Sequence, residues 1–231
     1  MIIAGLQKLS LVDFPGYLSA VVFTQGCNFK CGFCHNPDLI AGEAGISNFS
    51  QQEILDFLLK RKTMIEGVVF TGGEPTLQSD LSEFLKHIKD LDLKIKLDTN
   101  GSHPEIIKNL LKTKAIDYIA LDIKTSFLKY PVLSACSNIT ENISASIEYI
   151  MSSGIQYEFR TTCVPGLVAE DDVIQISEVI KGAKKYCLQQ FRPMITYDKT
   201  FQELKPYQKD KLYRFRDIIK EYVQEVEIRG I

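Results

Sequence analysis

The sequence predicts an α/β fold: an open, partial barrel of six β/α units on a mostly parallel sheet. Three observations point there. Short β-branched runs alternate with longer amphipathic runs along the 231 residues, a pattern that builds parallel sheets with right-handed crossovers. Six strand–helix units can be counted, short of the eight in a closed (β/α) barrel. The unusual polar residues fall where the predicted strands end, which is where parallel α/β folds assemble their sites.

The first predicted strand, 18–26 (LSAVVFTQG), runs into a loop holding Cys27, Cys31 and Cys34. Helix 50–62 follows. Ser50 with Glu53 three residues on is a capping-box pattern, and Ile54, Leu55, Leu58 and Leu59 give the helix one apolar face. The second strand, 67–73 (GVVFTGG), ends in Gly72, Gly73 and Glu74 and leads to helix 79–90, opening at Ser79. The third, 93–101, ends in the stretch Asp98–Gly101 before helix 104–114. The fourth, 117–124, ends in Asp122 and Lys124, with helix 141–153 behind it. The fifth, 155–166, carries Arg160 where it can project inward, and helix 170–183 follows. The sixth, 186–193, precedes helix 206–224. No linker, repeat or low-complexity stretch divides the chain, so residues 1–231 read as one domain.

Composition narrows the function classes. Apolar residues make up 45% and charged residues 24%, as in ordinary globular domains. With 27 basic and 29 acidic side chains the net charge is −2, which argues against a nucleic-acid partner. No apolar run approaches the ~18 residues of a membrane span. The N-terminal stretch is broken by Gln7, Lys8, Asp13 and Pro15 and makes a poor signal peptide. The expectation is a cytoplasmic protein with reduced cysteines, in which clustered cysteines point to metal or redox chemistry.

The stretch GCNFKCGFCHNP (26–37) carries three of the six cysteines. Structural zinc wants four closed ligands, and the only nearby fourth donor, His35, is adjacent to Cys34. CGFCH (31–35) fits a covalent haem attachment pattern, but that belongs to exported proteins and leaves Cys27 unexplained. Three thiolates around a four-iron cluster leave one iron without a protein ligand, an open position of the kind where a metal site does chemistry. Cys136, Cys163 and Cys187 are scattered and read as small core residues.

At this point the chain resembles the radical S-adenosylmethionine (SAM) enzymes. Cys27, Cys31 and Cys34 stand in that family's C-x3-C-x2-C signature, and Gly72, Gly73 and Glu74 fall at its GGE motif. DFPG (13–16), CHNP (34–37), DTNG (98–101) and LDIK (121–124) further resemble activators of glycyl radical enzymes, most of all the anaerobic ribonucleoside-triphosphate reductase activating proteins. The resemblance implies a partial (β/α)6 barrel with one [4Fe–4S] cluster on the three cysteines. It implies that the open iron chelates the amine and carboxylate of SAM, that one electron breaks the S–C5′ bond, and that the radical formed removes hydrogen from a glycine of a partner enzyme.

The resemblance also implies roles. Phe33 lies against the adenine, the Gly72–Gly73 backbone meets the methionine amine with Glu74 as counter-charge, and Lys124 meets the carboxylate. Asn100, in the DTNG turn, and Arg160 join the cofactor-binding set. Asp98, Thr99 and Asp122 match residues that hold a monovalent cation in the pyruvate formate-lyase branch. That branch has a histidine on its sixth strand; the stretch QFRPMITYD (190–198) has none, and Arg192 is the nearest substitute. The expected partners are anaerobic ribonucleotide reductase and a flavodoxin or ferredoxin as electron donor. The alternatives are activation of another glycyl radical enzyme of the pyruvate formate-lyase type, and a small-molecule enzyme like 7-carboxy-7-deazaguanine synthase.

Overall fold

The computed structural model describes residues 1–41, 49–134 and 136–231. Its centre is a single eight-stranded sheet in the sequential order β1 to β8. The strands are β1 (Ile3–Ser10), β2 (Ser19–Thr24), β3 (Gly67–Gly72), β4 (Lys94–Thr99), β5 (Tyr118–Asp122), β6 (Gln156–Cys163), β7 (Lys185–Gln190) and β8 (Glu225–Arg229). Within this sheet the β1–β2 pairing is antiparallel and the other six are parallel. β1 and β8 are the two edges, so the barrel stays open.

All six expected strands are present, as β2 to β7. Two were missed. β1 is an edge strand held by its pairing with β2, and β8 is a five-residue strand paired with β7. β1 has no clean alternation, whereas β8 alternates charged and apolar residues over its short length.

The helices are α1 (Asp38–Ala41), α2 (Gln51–Arg61), α3 (Leu81–Lys89), α4 (Pro104–Lys112), α5 (Ile139–Ser152), α6 (Glu170–Val179) and α7 (Lys209–Ile219). Ser50 and Glu53 form the predicted capping box on α2. α3 begins two residues later than the sequence suggested, with Asp80 as N-cap; α7 is shorter than its predicted span at both ends, starting at Lys209 and giving way to a turn after Ile219.

The period-two alternation of the strands sorts side chains between two environments. Val22, Phe70, Leu97 and Leu121 join the main core beneath the helices. The inner face of the barrel is half apolar and half charged. Toward its base, Phe14 from the β1–β2 connection packs with Val21, Val69, Tyr118 and Ala120. Above them the inner face carries Lys96, Asp98, Asp122, Glu158 and Arg160, linked to one another by ion pairs. KIKLDT in β4 shows how: Ile95 and Leu97 are fully buried with the helices, while Lys96 and Asp98 share the opposite face.

Candidate active site

A cavity of about 380 Å³ opens at the carboxyl ends of the strands. Cys27, Cys31, Phe33 and Cys34 line one side, Gly72, Gly73 and Glu74 another, and Asp98, Asp122, Lys124 and Arg160 a third. Thr99 and Asn100 complete the wall. The cysteines, the glycine motif and the charged residues expected at the site from the sequence therefore line one cavity; Arg192 does not.

The cysteine loop is held from three directions. Gly26 N–H donates to the Leu39 carbonyl at 2.7 Å, and Lys30 N–H to the Leu133 carbonyl at 3.0 Å. The loop after β7 covers it from outside: Asp198 N–H donates to the Gly32 carbonyl at 2.8 Å, and a Cβ on Gly32 would run into the Phe201 ring, 2.9 Å from Cδ2. His35 stacks on Phe191 and bonds to the Arg192 carbonyl at 3.0 Å, so it shapes the loop. Arg192 itself lines a neighbouring groove with Arg229 and Gly230 and is not among the lining residues of the cysteine cavity.

All three cysteines are free thiols. Burial pushes the Cys27 thiol up to about 11 and the Cys31 thiol up to about 12, so ligation of a metal must displace protons. Among the described residues, no three His, Cys, Asp or Glu side chains come close enough to hold a single metal ion. Structural zinc needs four ligands around one ion, and the loop itself offers three thiols. Three unpaired thiols spaced around one cavity fit a polynuclear iron–sulfur cluster. Cys163 and Cys187 are fully buried in the core as expected, whereas Cys136 is exposed and is not a core residue.

Gly72 and Gly73 lie against the entry to the cysteine loop. Gly73 N–H donates to the Thr24 carbonyl and Glu74 N–H to the Gly26 carbonyl, each at 2.8 Å. A Cβ on Gly73 would fall 2.7 Å from the Gly26 carbonyl carbon, and Gly72 sits at φ +111° with its would-be Cβ 2.6 Å from Thr24 N. Only glycine fits at either position.

The Glu74 side chain departs from expectation. It is fully buried. Its Oε1 accepts from Thr76 N–H (3.1 Å), Thr76 Oγ1 (2.5 Å) and Thr99 Oγ1 (2.7 Å), and its Oε2 from Asn100 N–H (2.6 Å). The carboxylate is spent on the protein, tying the end of β3 to the end of β4. Both oxygens already accept from the protein, so the backbone of Gly72 and Gly73 is the part of the motif left without a side chain between it and the cavity.

The charged wall is mutually neutralised. Arg160 bridges two carboxylates, with Nε to Asp122 at 2.7 Å and Nη1 to Asp98 at 3.2 Å. Lys96 pairs with Asp98 at 2.5 Å and Lys124 with Asp122 at 2.9 Å. Burial works against the charge on Asp122, but Arg160 and Lys124 outweigh it and hold its carboxyl well below the usual range. Burial likewise opposes the charge on Lys124, and Asp122 outweighs it to raise the amine's pKa. Two acids thus face three cations, and Thr99 points its hydroxyl at Glu74. These residues do not fit a monovalent cation: the expected Asp98–Thr99–Asp122 site already has its counter-charge in Arg160, Lys96 and Lys124.

Sequence reasoning missed Asn28, Lys96, Ser102, Glu158 and Arg229, all of which support the site. Arg229 on β8 holds Glu158 through a bidentate pair at 3.0 and 2.7 Å, and Glu158 lies 3.9 Å from Arg160. The signal was present in KIKLD, YEFR and EVEIR, where charges recur at period two on strands.

Comparison with known proteins agrees with this geometry. The Radical SAM superfamily profile matches residues 21–176. A candidate glycyl-radical enzyme activating enzyme of Methanocaldococcus jannaschii is 36% identical over 100% of this chain and 96% of its own length. The pyruvate formate-lyase-activating enzyme of Clostridium pasteurianum is 28% identical over 94% of this chain and 90% of its own. Among solved structures, SuiB of Streptococcus suis bound to S-adenosylmethionine superposes with a TM-score of 0.70 over 91% of this chain at 18% identity; this chain spans 50% of SuiB. Methylornithine synthase gives a TM-score of 0.63 at 15% identity, covering 90% of this chain and 63% of the synthase. Those two likenesses concern the fold. The chain belongs to the radical SAM superfamily and, within it, to the family of glycyl-radical enzyme activating enzymes.

Proposed function

We propose that this protein activates a glycyl radical enzyme, and that its partner is an anaerobic ribonucleoside-triphosphate reductase. The observation that carries the reading is the meeting, in one cavity, of three free thiols, a glycine backbone and a charged wall. When bound, a [4Fe–4S] cluster and SAM supply a one-electron cleavage whose radical product takes a hydrogen atom from a glycine.

The chain's own residues bind, orient and shield. Cys27, Cys31 and Cys34 hold the cluster. The Gly72–Gly73 backbone offers close approach to the methionine end of the cofactor. Lys124, anchored by Asp122 and by its N–H to the Tyr130 hydroxyl at 3.0 Å, supplies a point cation for the carboxylate. Phe33, 5% exposed, gives the adenine an apolar face. Arg160 locks Asp122 and Asp98 and so fixes Lys124. Within a reducing cytoplasm, a flavodoxin or ferredoxin is the electron donor.

The choice of the reductase rests on the likeness of DFPG and CHNP to its activating proteins and on the absence of a histidine between 190 and 198. A second reading, activation of a pyruvate formate-lyase, is favoured by the Clostridium pasteurianum relative. The test is anaerobic reconstitution and reduction, addition of SAM with either purified partner, and electron paramagnetic resonance. A glycyl doublet that needs every component identifies the partner. Cofactor cleavage without a doublet on either partner refutes both readings and leaves a different glycyl radical enzyme or a small-molecule substrate.

A further inference from the structure

Cys27 differs from the other two cysteines of the loop. Its sulfur receives two N–H groups: the Phe29 backbone at 3.4 Å and the Asn100 side-chain amide at 4.0 Å. Among the described residues, the sulfurs of Cys31 and Cys34 receive none.

The Asn100 amide has one orientation. Its Oδ1 accepts from Ser102 N–H at 3.0 Å, and its Nδ2 donates to Asn28 Oδ1 at 2.9 Å. Asn28 is oriented in turn by donating to the Ser102 hydroxyl at 2.9 Å. A flipped Asn100 would set two donors against each other at Ser102 and two acceptors at Asn28. The flip is therefore closed, and the second Nδ2 hydrogen is left for Cys27. The residue is 5% exposed, and its backbone N–H is held by Glu74 at 2.6 Å, which fixes where the side chain starts.

Donors aimed at a cysteine sulfur raise the reduction potential of an iron–sulfur cluster, because the added electron increases charge on the ligand sulfurs and a charge-assisted hydrogen bond strengthens with it. We propose that Asn100, held by Asn28 and Ser102, is a positioning residue that sets the potential of the cluster through the Cys27 sulfur. The inference rests on reading the cysteine loop as the holder of that cluster. It reassigns Asn100 from a contact of the small-molecule cofactor to a partner of the metal ligand.

The test compares wild-type holoprotein with Asn100→Leu, which keeps the volume and removes the donor. Iron and sulfide are quantified first, and the midpoint potential is then read by redox titration under electron paramagnetic resonance without substrate. The expected result is full cluster content and at least a tenfold weaker reduction equilibrium, about 59 mV more negative for one electron. A second measurement needs no variant: wild-type protein labelled with ¹⁵N in its asparagine side chains should show nitrogen coupling to the reduced cluster. An unchanged potential in a fully loaded Asn100→Leu protein, or no ¹⁵N coupling in the wild type, overturns the inference while the cluster reading stands. Wild-type protein that takes up no cluster overturns both.

Discussion

Glu74→Gln separates two accounts of the GGE motif. In the structure the carboxylate accepts four protein hydrogen bonds and is fully buried. Glutamine retains one acceptor oxygen. With that oxygen at the Oε1 position it keeps Thr76 and Thr99, and its amide NH2 then faces Asn100 N–H. One buried backbone donor loses its partner, at about 1–3 kcal/mol. Glu74→Ala orphans the N–H groups of both Thr76 and Asn100 and leaves a cavity, for roughly 3–6 kcal/mol. Thr76 Oγ1 keeps His103 Nδ1 at 3.0 Å, whereas the buried Thr99 hydroxyl also loses its acceptor. Against a typical total of about 5–15 kcal/mol, Glu74→Gln folds and Glu74→Ala is marginal. Anaerobic urea unfolding of the metal-free chain measures the first quantity, and calorimetric SAM binding to the loaded protein the second. The expected outcome is lower stability for Glu74→Gln with SAM affinity changed less than a few-fold. Unchanged stability together with a large loss of SAM affinity would refute the reasoning and return Glu74 to the cofactor's ammonium.

Cys31→Ala should remove the cluster's absorption near ~400 nm and cofactor cleavage with it, whereas Cys187→Ala, at a buried site away from the cavity, should keep both and lose about 1 kcal/mol of stability; equal effects from the two would sink the ligand assignment. Arg229→Met strips the bidentate partner from Glu158, whose side chain is fully buried, and should cost about 3–5 kcal/mol. Adding Glu158→Gln should recover most of that in a thermal melt, and a double variant no better than the single contradicts the pairing. The hydrogen bonds from Arg229, with help from Lys185, hold Glu227 down at about 2 from its ordinary 4.5. A depressed carboxyl stabilises above its unfolded value and loses that contribution as pH falls toward the folded one. Urea midpoints should therefore climb between about pH 2 and 4.5, and less steeply in Glu227→Gln; superimposable wild-type and variant profiles would show that the pair does not contribute.

Much of this protein was legible along the chain because the relevant signals are local. Strand–helix alternation, the capping box at Ser50, three cysteines in one loop and adjacent glycines after a strand are all short-range patterns. They were enough to place β2 to β7 and to gather one cavity's residues by their position at strand ends. What the tertiary structure decided are the relations between distant segments. β1 and β8 are held as edge strands by their pairing with β2 and β7, a non-local cause that the irregular eight residues of β1 do not announce. Arg160 meets Asp98 and Asp122 across sequence separations of 62 and 38, and that geometry replaced the expected cation with a side chain. Glu74 turned inward because Thr76, Thr99 and Asn100 surround it with donors once β3 and β4 lie side by side. The amide of Asn100 reaches Cys27 across 73 residues. Residue type and spacing determined which chemistry the chain can hold; the packing of adjacent parallel strands decided which charge faces which, because a carboxylate in a closed space takes whatever donors the neighbouring strand brings.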